Sequence, residues 1–372
     1  MPVIICVSKL FDEHVSLGFD GSICILKSFC HYFIKEMPLI GVDSLDHWHS
    51  QLLEANPDSY YLLRRESAIR DLKQLFDSSA VHQDDLLFYP NIDIVSLAAL
   101  CDLIQAYGIQ RMPRIALRFI GVLEENDSFE PLSLSTLMCM LAHYAESGLQ
   151  VAFSAESSSL ANQLGALYGV PFMQTPTLSD FEFSTISLDS TINIVAPGSG
   201  RPDKGFFRLA SICRILEDVM PCPFTVFAQD MPPYRYRHIS PVTTLPIDQP
   251  EIVMLPCSLS EPDLFALMNK SHIILMPYEP SVYRHRSSAI MADAACMGRP
   301  IVASGGCGFS ADISRFNLGL LARTNRELAD RVAHIAAKML DFVPNNDLSL
   351  ASTSYNNASR KSIVNSLLGL LV

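Results

Sequence analysis

"YEPSVYRHRSSAIMADAACMGRPIVAS", residues 278–304, is the stretch that decides how the chain folds. An apolar run at 273–276 stops at Pro277, and a second at 301–303 follows Gly298 and Pro300. Between them come Arg284, His285, Arg286, the pair Ser287 and Ser288, and a segment rich in alanine and methionine. That order spells strand, loop, helix, strand, the building unit of a helix-covered parallel sheet. The first backbone N–H groups of such a helix have no partner within it, and the positive end of its dipole attracts anions. With Arg284 and Arg286 flanking that end, Ser287 and Ser288 are expected to present an anion site.

A second loop of the same kind lies upstream, after a strand predicted at 192–196. It reads Ala196-Pro-Gly-Ser-Gly-Arg-Pro-Asp-Lys-Gly205. Gly198 and Gly200 give the backbone freedom, Arg201 can hold phosphate oxygens through two parallel bonds, and Lys204 neutralises as a point charge. It is no Walker loop, because Asp203 precedes Lys204 and Gly205 follows it, where glycine and Ser or Thr are required. Nor is it G-x-G-x-x-G, since Asp203 takes the third glycine's place. Alone, the loop fits a solvated charged turn as well as a ligand site. Paired with residues 278–304, it is expected to form one side of a pyrophosphate clamp.

Outward from these loops, β-branched runs alternate with helical patterns. Strands are predicted at 3–7, 86–89, 115–119 and 150–153, then at 192–196, 224–228, 251–255, 273–276 and 301–303. Helices are predicted at 22–35, 95–107, 132–146, 206–216, 262–269, 326–340 and 361–372, with Ser260 capping the fifth and Pro262 in its first turn. The chain's 372 residues exceed the size at which one core stops growing, roughly 250–300 residues. Two α/β blocks are therefore expected: residues 1–178 and 191–350, joined by a polar, proline-containing linker within 175–190, with a tail at 351–372. The fold class is α/β, two doubly wound Rossmann-like domains facing a cleft, with ligands at the carboxyl ends of the strands.

Composition limits the partners. Asp and Glu outnumber Lys and Arg by 39 to 27, a net charge of −12, so non-specific nucleic-acid binding is not expected. Local basic patches at 64–73 and 235–238 leave room only for weak peripheral membrane contact. The ten cysteines show no C-x-x-C and no zinc-finger spacing, which points to reduced thiols and no structural metal. No basic leader precedes the first apolar run, and no stretch reaches the ~18–20 apolar residues of a spanning helix. A soluble, cytoplasmic protein is the expectation. The His47–His49 pair lacks a third ligand. Gly306-Cys-Gly308-Phe-Ser-Ala311 matches G-x-G-x-x-A, but a dinucleotide fingerprint opens its βαβ unit and this one closes a strand. No cofactor is expected.

The two loops together resemble the C-terminal domain of retaining GT-B glycosyltransferases. In that group a G-R-x-x-x-x-K-G loop binds the donor pyrophosphate, and an E-x7-E motif runs into E-A-M-A-x-G-x-P-V-[IV]-A-[ST]. Asp293-Ala-Ala-Cys-Met-Gly-Arg-Pro-Ile-Val-Ala-Ser304 is similar to the last segment position by position. The likeness is specific over residues 192–323 and diffuse before them. It implies a nucleotide-sugar donor as substrate, a carbohydrate or lipid-linked acceptor, and roles for Gly198, Gly200, Arg201, Lys204, Arg284, Arg286, Ser287 and Ser288 in binding. Asp293 takes the place of the glutamate that holds the ribose hydroxyls, and His285 that of the glutamate touching the donor sugar. The loop arginine is displaced, with Ser199 in its place and Arg201 nearby. Glu279 is the nearest spare carboxylate, and His14 falls where the group often has an acceptor-side histidine. The implied activity is sugar transfer from a nucleoside diphosphate to an acceptor hydroxyl, retaining and metal-independent, since no D-x-D stands at a strand end. A degenerate binding or scaffold protein and a sugar-nucleotide epimerase are the alternatives.

Overall fold

The computed structural model describes residues 4–6, most of 65–121, and 133–188, 191–231 and 252–371. The helix expected at 22–35, His14, the His47–His49 pair and the 235–238 patch lie outside the described residues. The chain divides into two compact units. One runs to Glu156 and includes Leu160–Thr175 and Ser362–Val372; the other is Pro176–Lys361 with Ser157–Ser159.

The first unit is a parallel sheet of β1 (Ile4–Cys6), β2 (Leu86–Tyr89), β3 (Arg114–Phe119), β4 (Val151–Ala155) and β5 (Phe172–Gln174), hydrogen-bonded in that order. Helices α1 (Ile94–Tyr107), α2 (Leu134–Glu146) and α3 (Ser158–Tyr168) make the crossovers. β2 is buried along its whole length, as a strand covered on both faces must be. Ser133 caps α2 by accepting the Thr136 N–H at 3.1 Å. The core gathers the inner faces of α1 and α2 against Leu87, Ile115, Leu117 and Phe119. The described strands follow chain order here, and no reversal of order occurs among them. β5 and α3 went unread in the sequence, because three residues after Pro171 carry too little pattern.

The second unit holds β6 (Ile192–Ala196), β7 (Phe224–Gln229), β8 (Ile252–Leu255), β9 (Ile273–Met276), β10 (Ile301–Ser304) and β11 (Gly319–Ala322). Their order, β11-β10-β9-β6-β7-β8, is parallel throughout and reverses between β6 and β9. This is the doubly wound arrangement. The crossovers are α4 (Leu209–Val219), α5 (Glu261–Asn269), the one-turn α6 (Pro280–Tyr283), α7 (Ala289–Cys296) and α8 (Ser310–Arg315), and α9 (Asn325–Asp341) follows β11. β9 and β10 are fully buried. Ser260 caps α5, accepting the Asp263 N–H at 3.3 Å, with Pro262 in its first turn.

α10 spans Asn345–Leu371, so the expected tail helix begins well before residue 361. Among the described residues, no helix is long and apolar enough to cross a membrane. The linker, residues 175–188, carries no regular secondary structure. It is fastened to the second unit by Arg299, which is 1 % exposed. That guanidinium donates to the Ser184 carbonyl at 2.7 Å, the Ser184 hydroxyl at 2.6 Å, the Asn269 carbonyl at 2.9 Å and the Met268 carbonyl at 3.2 Å. Burial lowers it to about 10.

Candidate functional site

The two loops singled out in the sequence leave the carboxyl ends of β6 and β9, the adjacent strands at which the order reverses. That is where open α/β sheets form a ligand crevice, because the flanking connections turn to opposite sides.

The first loop, residues 197–205, is shaped by its glycines. Gly198 has φ 91°, and its N–H donates to the Gln229 side-chain oxygen at 2.5 Å. A Cβ on Gly200 would stand 2.5 Å from the Gln229 carbonyl and 2.6 Å from the Phe206 ring. Pro202–Lys204 forms a single tight turn closed by Gly205 at φ 78°. A second tight turn of three residues, Phe206–Arg208, precedes α4, so this helix starts at Leu209, later than the expected 206.

Arg201 and Lys204 emerge on this scaffold. One Arg201 nitrogen donates to the Asp203 carboxylate and to the Tyr283 hydroxyl, each at 2.7 Å. The Lys204 ammonium makes no hydrogen bond and no ion pair among the described residues. It lies 5.9 Å from the centre of the Tyr278 ring. Burial, with the Arg201 charge beside it, pushes Lys204 down to about 8. A small cleft opens between Gly198, Gly200, Lys204, Gln229, Pro277 and Tyr278. A half-desolvated cation facing such a cleft is poised for an anion.

The second loop meets the first through backbone. The Glu279 N–H donates to the Asp203 carbonyl at 2.8 Å, and the Pro277 carbonyl accepts from Arg208 at 2.9 Å. Arg208 also binds the Ser304 hydroxyl at 3.1 Å and the Asn325 side chain at 2.8 Å. Tyr278 is buried, 4.6 Å from Tyr283 and 5.7 Å from Phe309 between ring centroids. Burial raises Tyr283 to about 12 and keeps its phenol protonated.

Ser288, not Ser287, is the N-cap of α7, accepting the Met291 N–H at 3.3 Å. Both serines are buried. Arg286 lies 6.0 Å from the Tyr283 ring centre, whereas Arg284 and Glu279 are exposed. His285 is half-buried, and its main chain is pressed against Gly308. A Cβ on that glycine would come within 2.8 Å of the His285 carbonyl carbon. Asp293 stands in the second turn of α7. There it adds to the burial that raises Cys296 to about 12, and it also acts on Tyr355. Lys204, by contrast, has Arg201 and Asp203 as its charged neighbours.

The structure thus brings Gly198, Gly200, Arg201 and Lys204 together with the loop of Glu279 to Ser288, and sets Asp293 further along the helix. Sequence reasoning left Gln229, Arg208, Tyr278 and Tyr283 without roles. Only the two tyrosines left a trace, Tyr278 just after the buried run at 273–276 and Tyr283 five residues on. Among the described residues, no group of three or more His, Cys, Asp or Glu side chains could hold a metal ion.

Two parallel α/β sheets, the second with the two loops at its switch point, and the similarity to solved glycosyltransferases define the class as the GT-B fold. The chain's sequence matches no family model and no curated protein. Its structure is similar to sucrose-phosphate synthase from Thermosynechococcus elongatus, at 14 % identity over 82 % of this chain and 74 % of that one, with a TM-score of 0.52. HepE from Anabaena, solved in complex with UDP, aligns at 12 % identity over 81 % of this chain and 82 % of that one, with a TM-score of 0.56. A UDP-forming trehalose-phosphate synthase from Burkholderia xenovorans aligns at 10 % identity over 84 % and 79 %, with a TM-score of 0.54.

Proposed function

We propose that this protein is a glycosyltransferase. It moves a sugar from a nucleoside-diphosphate donor to a hydroxyl of a carbohydrate, lipid-linked sugar or small molecule, with retention and without a bound metal. The observation that carries this reading is Lys204, a desolvated ammonium without a hydrogen-bond partner among the described residues, lining a small cleft at the switch point.

In the transfer, the bond between the sugar's anomeric carbon and the diphosphate oxygen breaks with its electron pair staying on that oxygen, the acceptor oxygen bonds to the carbon, and the acceptor's proton passes to the departing diphosphate. The departing diphosphate gains negative charge. Preorganised donors aimed at developing charge are worth more in a dry site than in water. Lys204 and Arg201 supply cations from one side, and the first-turn amides of α7 supply dipoles from the other. His285 and Glu279 are the residues proposed to contact the donor sugar. Asp293 is proposed for the ribose.

The test is turnover of nucleotide sugars by purified protein. Lys204→Ala should lower kcat/KM by about 10²–10³, the usual cost of one charge-stabilising donor. Wild-type turnover in that variant would sink the proposal. A binding or scaffold role is the second reading, favoured by a histidine at position 285 where the resemblance implies a carboxylate. Slow donor hydrolysis that disappears in Arg201→Ala would exclude it. Turnover with the donor alone and no acceptor would instead mark an epimerase.

A further inference from the structure

We infer that the Tyr283 hydroxyl is a direct donor to the diphosphate, acting beside Arg201 as the second point of a two-point grip. This deepens the reading above and rests on it. The hydroxyl oxygen accepts an N–H from Arg201 at 2.7 Å. Having accepted that bond, the phenol still has its own hydrogen to give. No acceptor for it lies within hydrogen-bond distance among the described residues. A buried donor with nothing to receive its hydrogen carries a cost that a ligand oxygen removes.

The ring cannot swing the hydroxyl elsewhere. It is 5 % exposed and held between Tyr278, at 4.6 Å, and Phe309, at 6.3 Å between centroids. Its backbone carbonyl is fixed by the Gly308 N–H at 2.7 Å. The oxygen it would bind must also suit Arg201, so it belongs to an anionic group with at least two oxygens. A diphosphate satisfies this. Asp203 occupies the Arg201 nitrogen in the free protein, and an incoming phosphate oxygen would compete for the same nitrogen while Tyr283 keeps the guanidinium in register.

The test uses Tyr283→Phe, which keeps the ring and its packing and removes only the hydroxyl. Affinities of UDP, GDP and ADP and of their monophosphates are measured by calorimetry on the full chain, with Tm recorded for each protein. The expected result is an unchanged Tm, a diphosphate affinity about tenfold or more weaker, as for loss of one hydrogen bond to a charged group, and an unchanged monophosphate affinity. Wild-type diphosphate affinity in Tyr283→Phe overturns the inference, as does an equal loss for monophosphates. If Tyr283→Phe were destabilised, the double-mutant cycle with Arg201→Gln decides. Additive losses overturn the inference and coupled losses support it. A wild-type protein that binds none of the three diphosphates overturns the proposed function itself.

Discussion

The Glu279 backbone N–H donates to the Asp203 carbonyl at 2.8 Å, so each of the two clamp loops is held in place by the other. The bond uses main chain alone, so the Asp203 carboxylate can pair with Arg201 at the same time. It also explains Gly205, whose positive φ of 78° brings the first loop directly beneath Pro277.

Gly205→Ala should therefore disrupt the clamp from its base. A Cβ there would overlap the Pro277 carbonyl oxygen, and the backbone angle itself costs an L-residue about 1–3 kcal/mol. The expected outcome is a lower denaturation midpoint together with loss of nucleoside-diphosphate binding in whatever remains folded. Wild-type stability measured in urea would show that the loops do not depend on this close approach.

Lys204 predicts a pH dependence whose sign follows from its lowered value of about 8. Below pH 8 the ammonium is charged and available, and affinity for a diphosphate should be flat in pH. Above pH 8 the free protein must first take up a proton, so affinity should fall by up to about tenfold per unit. Stability of the free protein runs the other way. The group's folded value is below its unfolded value of 10.5, so the cost of holding the charge is present below pH 8 and is relieved as pH rises from 8 toward 10.5. Lys204→Met should be at least as stable as wild type at pH 7 and should bind diphosphate much more weakly with no fall above pH 8. Retention of the fall in that variant would assign it to another group.

The second unit was largely legible because its pattern is local. The apolar runs at 273–276 and 301–303 are short and flanked by proline or glycine, which favours buried strands over helix. The two loops could be placed because a charged segment that follows a strand and precedes a helix can lie only at the carboxyl edge of a parallel sheet. What escaped was long-range. Arg208 and Arg299 act through carbonyls that are distant in sequence, at Pro277 and at Ser184, and no spacing rule reveals them. Gln229 ends an ordinary strand. Ser287 and Ser288 were indistinguishable as caps, because the choice depends on which backbone turns extended first.

Arg299→Met is expected to destabilise the second unit more than any substitution in the clamp. It removes a guanidinium that satisfies the Ser184 and Asn269 carbonyls and leaves them without that donor, whereas the Met268 carbonyl keeps its bonds from Ser271. Each stranded carbonyl costs about 1–3 kcal/mol. Arg299→Lys should recover little, since a single ammonium cannot reproduce the planar fork. Urea denaturation measures both, and full rescue by lysine would mean that charge matters there and geometry does not.

Gln229 separates support of the loop from the chemistry of the ligand. Its side-chain oxygen accepts the Gly198 N–H at 2.5 Å, and its nitrogen donates to the Cys257 carbonyl at 3.2 Å. The residue is 5 % exposed and lines the same cleft as Lys204. Gln229→Leu strands the glycine N–H and the carbonyl, each at about 1–3 kcal/mol, and should weaken diphosphate binding by loosening the loop. Gln229→Glu keeps the acceptor for Gly198 but sets a negative charge at the cleft. That charge should pair with Lys204, raise its pKa and compete with the ligand. The glutamate variant is therefore expected to bind diphosphate more weakly than the leucine variant, and its pH-dependent fall should begin above pH 8. If the leucine variant proved the weaker binder, Gln229 would matter through the loop alone, and Lys204 would not be the cation that meets the anion in this cleft.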